Sequence, residues 1–109
     1  MIQVSCNYDF ADAKRAAQGD GRALVIVFSS PDCQPCDMLK KRLEPISDPA
    51  SGALFVEVDV QQAGLVAQQY AVRSVPTVVV ADSEGSPVFQ RVGQVEPSEV
   101  ERKIREALR

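Results

Sequence analysis

Two cysteines stand two residues apart in Cys33-Gln34-Pro35-Cys36. An apolar run, Leu24-Val25-Ile26-Val27-Phe28, comes before them, and a helical pattern, Asp37-Met38-Leu39-Lys40-Lys41-Arg42-Leu43, comes after. The pair therefore sits where a strand gives way to a helix. The first turn of a helix has unpaired N–H groups and a partial positive charge. A sulfur held there is stabilised as thiolate, the nucleophilic form. The second sulfur, one helical turn later, is close enough to bond the first. The pair is a candidate two-electron dithiol/disulfide couple. Pro35 suits an early helix position, because its missing N–H would have had no partner there.

Two other chemistries use the same spacing. A zinc site needs two further ligands, usually a second Cys or His pair. The chain has no His, and its only other cysteine, Cys6, is far away in sequence. A purely structural bridge that encloses two residues would constrain the unfolded chain little. The strand-to-helix placement favours redox chemistry.

The chain has 109 residues, enough to bury one core without metal or disulfide staples. Hydrophobic residues make up 45% and charged residues 25%, ordinary globular values. A net charge of −3 argues against direct nucleic-acid binding and against an anionic membrane surface. No apolar run reaches membrane-spanning length. The start, Met1-Ile2-Gln3-Val4-Ser5-Cys6, lacks a basic segment followed by an apolar one. Three cysteines do not read as a secreted disulfide framework. These features lead to the expectation of a cytoplasmic protein.

Ile2 to Ser5 alternates as a short strand would. Tyr8 to Gln18 is helix-like, with Phe10, Ala13 and Ala17 on one face, Asp9 as cap and Gly19-Asp20-Gly21 as the break. Cys6 reads as a small, half-buried residue. Ala23 to Phe28 fits a strand covered on both faces. In the helix after the pair, Leu39, Leu43 and Ile46 recur at helical spacing, and Pro45 and Pro49 end it. Lys40, Lys41 and Arg42 read as a solvated basic face. Ala53 to Val60 holds a second buried-strand candidate, Leu54-Phe55-Val56-Glu57-Val58, with Glu57 as a carboxylate inside an apolar run. Gln61 to Tyr70 reads as a helix with Leu65 and Val66 inward. Val78 to Val80 and Val88 to Val92 read as an antiparallel hairpin. A last helix opens at Glu96-Pro97, with Val100, Ile104, Ala107 and Leu108 as its apolar stripe. The order β-α-β-α-β-α-β-β-α predicts an α/β fold, a mixed sheet with helices on both faces.

In that order and at that spacing, several segments resemble the thioredoxin family over nearly the whole chain. They are Val25-Ile26-Val27-Phe28, Cys33-Gln34-Pro35-Cys36, Val56-Glu57-Val58-Asp59-Val60, Tyr70-Ala71-Val72-Arg73-Ser74-Val75-Pro76-Thr77 and Val92-Gly93. The resemblance implies one thioredoxin-like domain over residues 1–109, with a central five-stranded mixed sheet flanked by four helices. It implies a cis bond at Val75–Pro76, packed against the cysteines. It also implies thiol–disulfide exchange: Cys33 attacks a substrate disulfide, and the more buried Cys36 resolves the mixed disulfide. Asp32, Gln34 and Pro35 complete the active-site loop. Backbone around Val75, Pro76 and Gly93 would hold substrate as an added strand. The implied partners are disulfide-containing proteins and a thioredoxin reductase, usually an NADPH-dependent flavoprotein. No metal or cofactor is implied beyond the Cys33–Cys36 disulfide itself, and a monomer is expected.

The chain departs from the family pattern in ways that bear on chemistry. Family members usually carry Trp-Cys-Gly-Pro-Cys with a second aromatic a few residues earlier. Here those positions hold Asp32 and Ser29, and the chain has no Trp. Asp32 puts a negative charge beside Cys33, opposing the thiolate that the helix end favours. Gln34 replaces the usual Gly. The family's buried acid falls at Val27, and its neighbouring Lys falls at Glu57. The expectation is a relocation: Glu57 as a desolvated carboxylate of raised pKa, taking a proton from Cys36. The alternative is a Glu reaching solvent at the sheet edge.

The leading function is reduction of protein disulfides through the Cys33/Cys36 dithiol. A disulfide oxidase or isomerase keeps the chemistry and changes its direction. A non-enzymatic thioredoxin-like binding subunit would keep the fold and drop the chemistry.

Overall fold

The computed structural model describes residues 1–109, apart from the side chain of Pro49. The chain runs β1 (Ile2–Val4), α1 (Asn7–Asp20), β2 (Ala23–Ser29), α2 (Gln34–Leu43), β3 (Ala53–Asp59), α3 (Gly64–Gln69), β4 (Thr77–Ala81), β5 (Pro87–Val92) and α4 (Pro97–Ala107). Two single 3-10 turns, Glu44–Ile46 and Pro49–Ser51, lie between α2 and β3. The five strands form one mixed sheet in the order β1-β3-β2-β4-β5. β3 runs parallel to both β1 and β2, whereas β4 is antiparallel to β2 and β5 to β4. The element order gave the mixed sheet with helices on both faces, and the five strands and four helices are those that the resemblance to the thioredoxin family implied.

The continuous apolar run of β2 is explained by its place at the centre. Every residue from Ala23 to Phe28 is fully buried, and Ser29 is nearly so. Alternate residues serve opposite cores. Leu24, Ile26 and Phe28 pack with Phe10, Ala13 and Ala17 of α1 and Val66 and Ala67 of α3. Val25 and Val27 pack with Leu39 and Leu43 of α2 and Val100, Ile104 and Ala107 of α4. Burial of side chains this size stabilises the fold by roughly 1.5–3 kcal/mol each before entropy is counted.

Several boundaries differ from the sequence reading. α1 begins at Asn7 with Cys6 as N-cap, and Asp9 instead lies inside the first turn, where its Oδ2 accepts from the Ser5 N–H at 3.3 Å. Gly19 and Asp20 do not break α1. The break is Gly21, at φ +65°, a left-handed conformation that glycine adopts without a Cβ clash. Arg22 N–H then closes the end on Ala17 O at 2.9 Å. α3 is shorter than predicted and its inward pair is Val66 and Ala67. Leu65 points outward at 66% exposure. Its start is set late by Gln61 and Gln62, which turn back on Asp59: Gln61 N–H bonds Asp59 Oδ1 and Gln62 N–H bonds Asp59 O. Leu108 lies past the end of α4 and is exposed.

The facing of α3 is testable by paired substitutions. Leu65→Gln should change unfolding free energy by less than about 0.5 kcal/mol, because its side chain loses no core contact. Val66→Ala should cost about 1–3 kcal/mol by removing buried methyls. Denaturant unfolding of the two variants measures both. The reverse order would place Leu65 inside.

Candidate functional site

The end of the sheet where β2 stops gathers three segments. β2 delivers the chain to Ser30, and four residues later it is in α2. Asp32 takes φ +57°, the left-handed region that Asp tolerates better than most residues. Cys33 is the N-cap of α2, in extended conformation, and Pro35 sits in the first turn. Because β4 is antiparallel to β2, its first residue Thr77 lies opposite Phe28. Val75 and Pro76, just before Thr77, therefore lie at the same end as the cysteines. β5 pairs Val92 with Thr77, which brings Gly93 there too.

Cys33 and Cys36 are joined in a disulfide, with Cα atoms 5.2 Å apart. Cys33 is partly exposed, whereas Cys36 is 1% exposed and heads the buried stripe of α2. The Cys36 N–H donates to Cys33 Sγ at 3.2 Å. A side-chain sulfur thus occupies the capping place that a hydroxyl or carboxylate often fills. Charge left on that sulfur when the disulfide opens would face the positive end of the helix. Asp32, Gln34 and Pro35 are exposed around it.

The Val75–Pro76 bond is cis. The Thr77 hydroxyl donates to Ser74 O at 2.7 Å and closes the turn around it. Gly93 N–H donates to Pro76 O at 2.8 Å, with Gly93 at φ +91°. A groove of ≈ 260 Å³ opens beside these segments, walled by Ser30, Val60, Gln61, Val72, Arg73, Ser74 and Val75. The structure thus gathers Cys33, Cys36, Asp32, Gln34, Pro35, Val75, Pro76 and Gly93 at one end of the sheet.

Glu57 does not behave as expected. It is 8% exposed, on the face of β3 that packs against α2. Three donors meet its carboxylate: Lys40 Nζ at 2.7 Å, Ser29 Oγ at 2.7 Å and Gln3 Nε2 at 2.6 Å. Burial alone would raise its pKa, but the bonds from Lys40, Ser29 and Gln3 and the Lys40 charge outweigh it, and the net shift is downward. The expectation of a raised pKa is therefore corrected. Glu57 is an ionised partner of Lys40, one helical turn beyond Cys36, and it reaches neither cysteine by a hydrogen bond. The alternative of a Glu at the sheet edge fails because β3 lies between β1 and β2; the side chain is 10% exposed, in the wall of a pocket that it shares with Gln3, Asp37 and Lys40. Lys40 is accordingly not part of a freely solvated basic face. The hydrogen bond to Glu57, opposed by burial, raises its pKa, with Asp37 at 3.3 Å adding to the rise.

Sequence reasoning missed two features. One is this cluster, whose four members come from β1, β2, α2 and β3. The spacing Lys40 to Cys36 put Lys40 on the right helix face, but only the strand register places Glu57 beneath it. The other is Gln94, whose Nε2 donates to Pro35 O at 2.9 Å and ties the chain after β5 to the first turn of α2. Its position directly after Gly93 was the available signal.

These charges can be tested in two ways. Glu57→Gln should destabilise the protein by about 1–3 kcal/mol near neutral pH, since Lys40 loses a nearly buried partner. A lowered Glu57 pKa contributes stability above the unfolded value of about 4.3, lost as pH falls through the folded value. A raised Lys40 pKa contributes stability below about 10.4, lost as pH rises through the folded value. The difference between parent and variant should therefore be widest from about pH 5 to pH 10 and shrink on either side. Denaturant unfolding across pH reads this directly. Separately, Asp32→Asn should speed alkylation of Cys33 in the reduced protein at neutral pH by roughly two- to fivefold, as expected for one exposed neighbouring charge. An unchanged rate would mean that solvent screens Asp32 from the sulfur.

Comparison with known proteins agrees with this fold. A thioredoxin-like domain family matches residues 10–108. A thioredoxin of Malassezia sympodialis is 33% identical over 105 residues, covering 94% of this chain and 95% of that protein. A thioredoxin of Sus scrofa is 37% identical over 76 residues, covering 69% and 70%. Among solved structures, the Malassezia sympodialis thioredoxin superposes with TM-score 0.75 at 28% identity, covering 100% of this chain and 92% of that one. A mutant thioredoxin from Halobacterium salinarum superposes at 0.80 with 24% identity, covering 99% and 90%.

Proposed function

The chain belongs to the thioredoxin family and carries a Cys33–Cys36 disulfide of thiol–disulfide oxidoreductase type, and from that premise we propose that it reduces disulfides in other proteins. The observation that carries the reading is the asymmetry of the pair. Cys33 is accessible at a helix N-terminus while Cys36 is buried behind it. A substrate disulfide can meet only the first sulfur.

The proposed cycle begins with both thiols reduced. The Cys33 thiolate attacks one sulfur of a substrate disulfide; the substrate S–S bond breaks and a mixed disulfide forms. The departing substrate sulfur takes a proton. Cys36 then loses its proton and attacks Cys33 Sγ, the second substrate thiol leaves, and the Cys33–Cys36 bond closes. The short loop holds the two sulfurs within bonding reach, so the second step is intramolecular and fast relative to escape. Substrate backbone would lie along Val75 and Pro76 as an added strand, with Gly93 leaving the approach free of a side chain.

The oxidised pair must be reset by a dithiol donor. A thioredoxin reductase is the proposed partner, and no resident cofactor is needed. The protein is proposed to act as one domain, monomeric and cytoplasmic. Among the described residues no helix is long and apolar enough to cross a membrane. The loss of Trp and the charge of Asp32 alter the surface that partners meet, and narrow the substrates to chains that tolerate a polar approach.

The test is dithiothreitol-driven reduction of insulin, with parent and Cys33→Ser proteins side by side. Catalysis by the parent that falls to background in the variant is the expected result. No catalysis by the parent would remove general reduction and bring forward a binding-subunit role, which Cys33→Ser would leave intact.

A further inference from the structure

Gln94 holds an unusual position beside the cysteine pair. Its amide nitrogen is spent on Pro35 O, the carbonyl of the peptide that leads into Cys36. Its other end, Oε1, is buried and has no hydrogen-bond partner among the described residues. Buried polar side chains elsewhere are served: Ser29 and Glu57 bond each other, and Thr77 bonds Ser74 O. An empty buried acceptor costs free energy and calls for a cause.

The chemistry of the pair supplies one. A donor dithiol that reduces the Cys33–Cys36 bond gives up two electrons and two protons and closes its own disulfide. Each cysteine then holds a thiol, and Cys33 can release its proton to solvent. Cys33 is partly exposed, so its thiol can use water. Cys36 is 1% exposed and cannot. Reduction therefore creates one new buried donor, the Cys36 S–H. Cys36, Leu39 and Leu43 form the buried stripe of α2, and Val95, the residue after Gln94, packs in the same cluster as Leu39 and Leu43. The Gln94 amide is tied at 2.9 Å to the carbonyl of Pro35, the residue before Cys36, and its free Oε1 is buried at that same junction.

We propose that Gln94 Oε1 accepts the Cys36 S–H hydrogen bond in the reduced protein and stands empty in the oxidised one. Gln94 is then a positioning residue that biases the couple toward its dithiol form and orients the buried thiol. The inference rests on reading Cys33–Cys36 as a working couple.

The test is a redox titration of parent and Gln94→Met against dithiothreitol buffers, with thermal unfolding of both redox forms. Met keeps the length of the side chain and removes the acceptor. The equilibrium constant for reduction should fall roughly three- to tenfold, a potential more negative by about 15–30 mV. The reduced form should lose thermal stability relative to the oxidised form. A merely structural clip on Pro35 would weaken both forms alike and leave the potential unmoved, which overturns the proposal. A parent that does not titrate reversibly overturns the couple itself, and this inference with it. A second measurement leaves Gln94 intact. In the Cys6→Ala, Cys33→Ala double variant the single thiol is Cys36, and its infrared S–H stretch should lie below that of a free thiol in apolar solvent. A band at the unbonded position overturns the proposal.

Discussion

The central strand can end in only one way. β2 is covered on both faces and paired on both edges, by β3 and by β4. Its backbone groups are used up to Ser29, whose carbonyl accepts from Val60 N–H at 2.9 Å. Beyond that the ladder stops, and the chain must turn within a few residues into a helix that covers one face. Pro31, and Asp32 in the left-handed region, make the turn, and Cys33 caps α2. Everything that meets the cysteines is placed by the same strand. The antiparallel pairing of β4 puts the start of that strand, and hence Val75–Pro76, at this end. The pairing of β5 then puts Gly93 and Gln94 beside it.

The features legible in the sequence were those with a one-dimensional signature. The two-sided burial of Ala23 to Phe28, the Leu39–Leu43 stripe and the hairpin after Pro76 all come from local periodicity. So did the cysteine pair at a strand-to-helix junction. What failed needed information from elsewhere in the fold. In α3, Leu65 and Val66 are both apolar and adjacent, and six residues of helix carry too little periodicity to say which one faces in. α1 runs through Gly19 because Gly21, two residues on, provides a cap beyond which Arg22 N–H closes on Ala17 O. Propensity lost to capping geometry there. Gln94 has only its place after Gly93 as a local signal; its meaning comes from Pro35, which is separated from it by β3, α3, β4 and β5.

Glu57 shows the same limit in electrostatics. An acid in an apolar strand suggests desolvation, and desolvation alone does push its pKa up. Three donors from three other elements reverse the sign. Val27 explains why they can. It lies beside Glu57 in the parallel register, fully buried and uncharged, so the carboxylate faces no second acid on the strand. A carboxyl at Val27 would share the Lys40 side of the sheet with Glu57, and two like charges in a nearly dry place cannot both stay ionised without large cost. The apolar residue at Val27 and the acid at Glu57 therefore belong together. The ion pair they permit joins α2 to the sheet one turn below the cysteines.

That joint also shapes the field at the reactive sulfur. Asp37 lies in the first turn of α2 and Glu57 lies below it, yet both are met by Lys40, at 3.3 Å and 2.7 Å. One cation answers two carboxylates, which removes much of the negative charge behind the helix start. Asp32 stands outside that pairing, exposed in the turn itself. Its charge is solvated, but as the residue next to Cys33 it lies within the screening length of about 8–10 Å at ordinary ionic strength and still acts on the sulfur. The helix-end N–H of Cys36 acts on the same sulfur at 3.2 Å, from a partly buried position. The helix end and Asp32 therefore act on Cys33 in opposite directions.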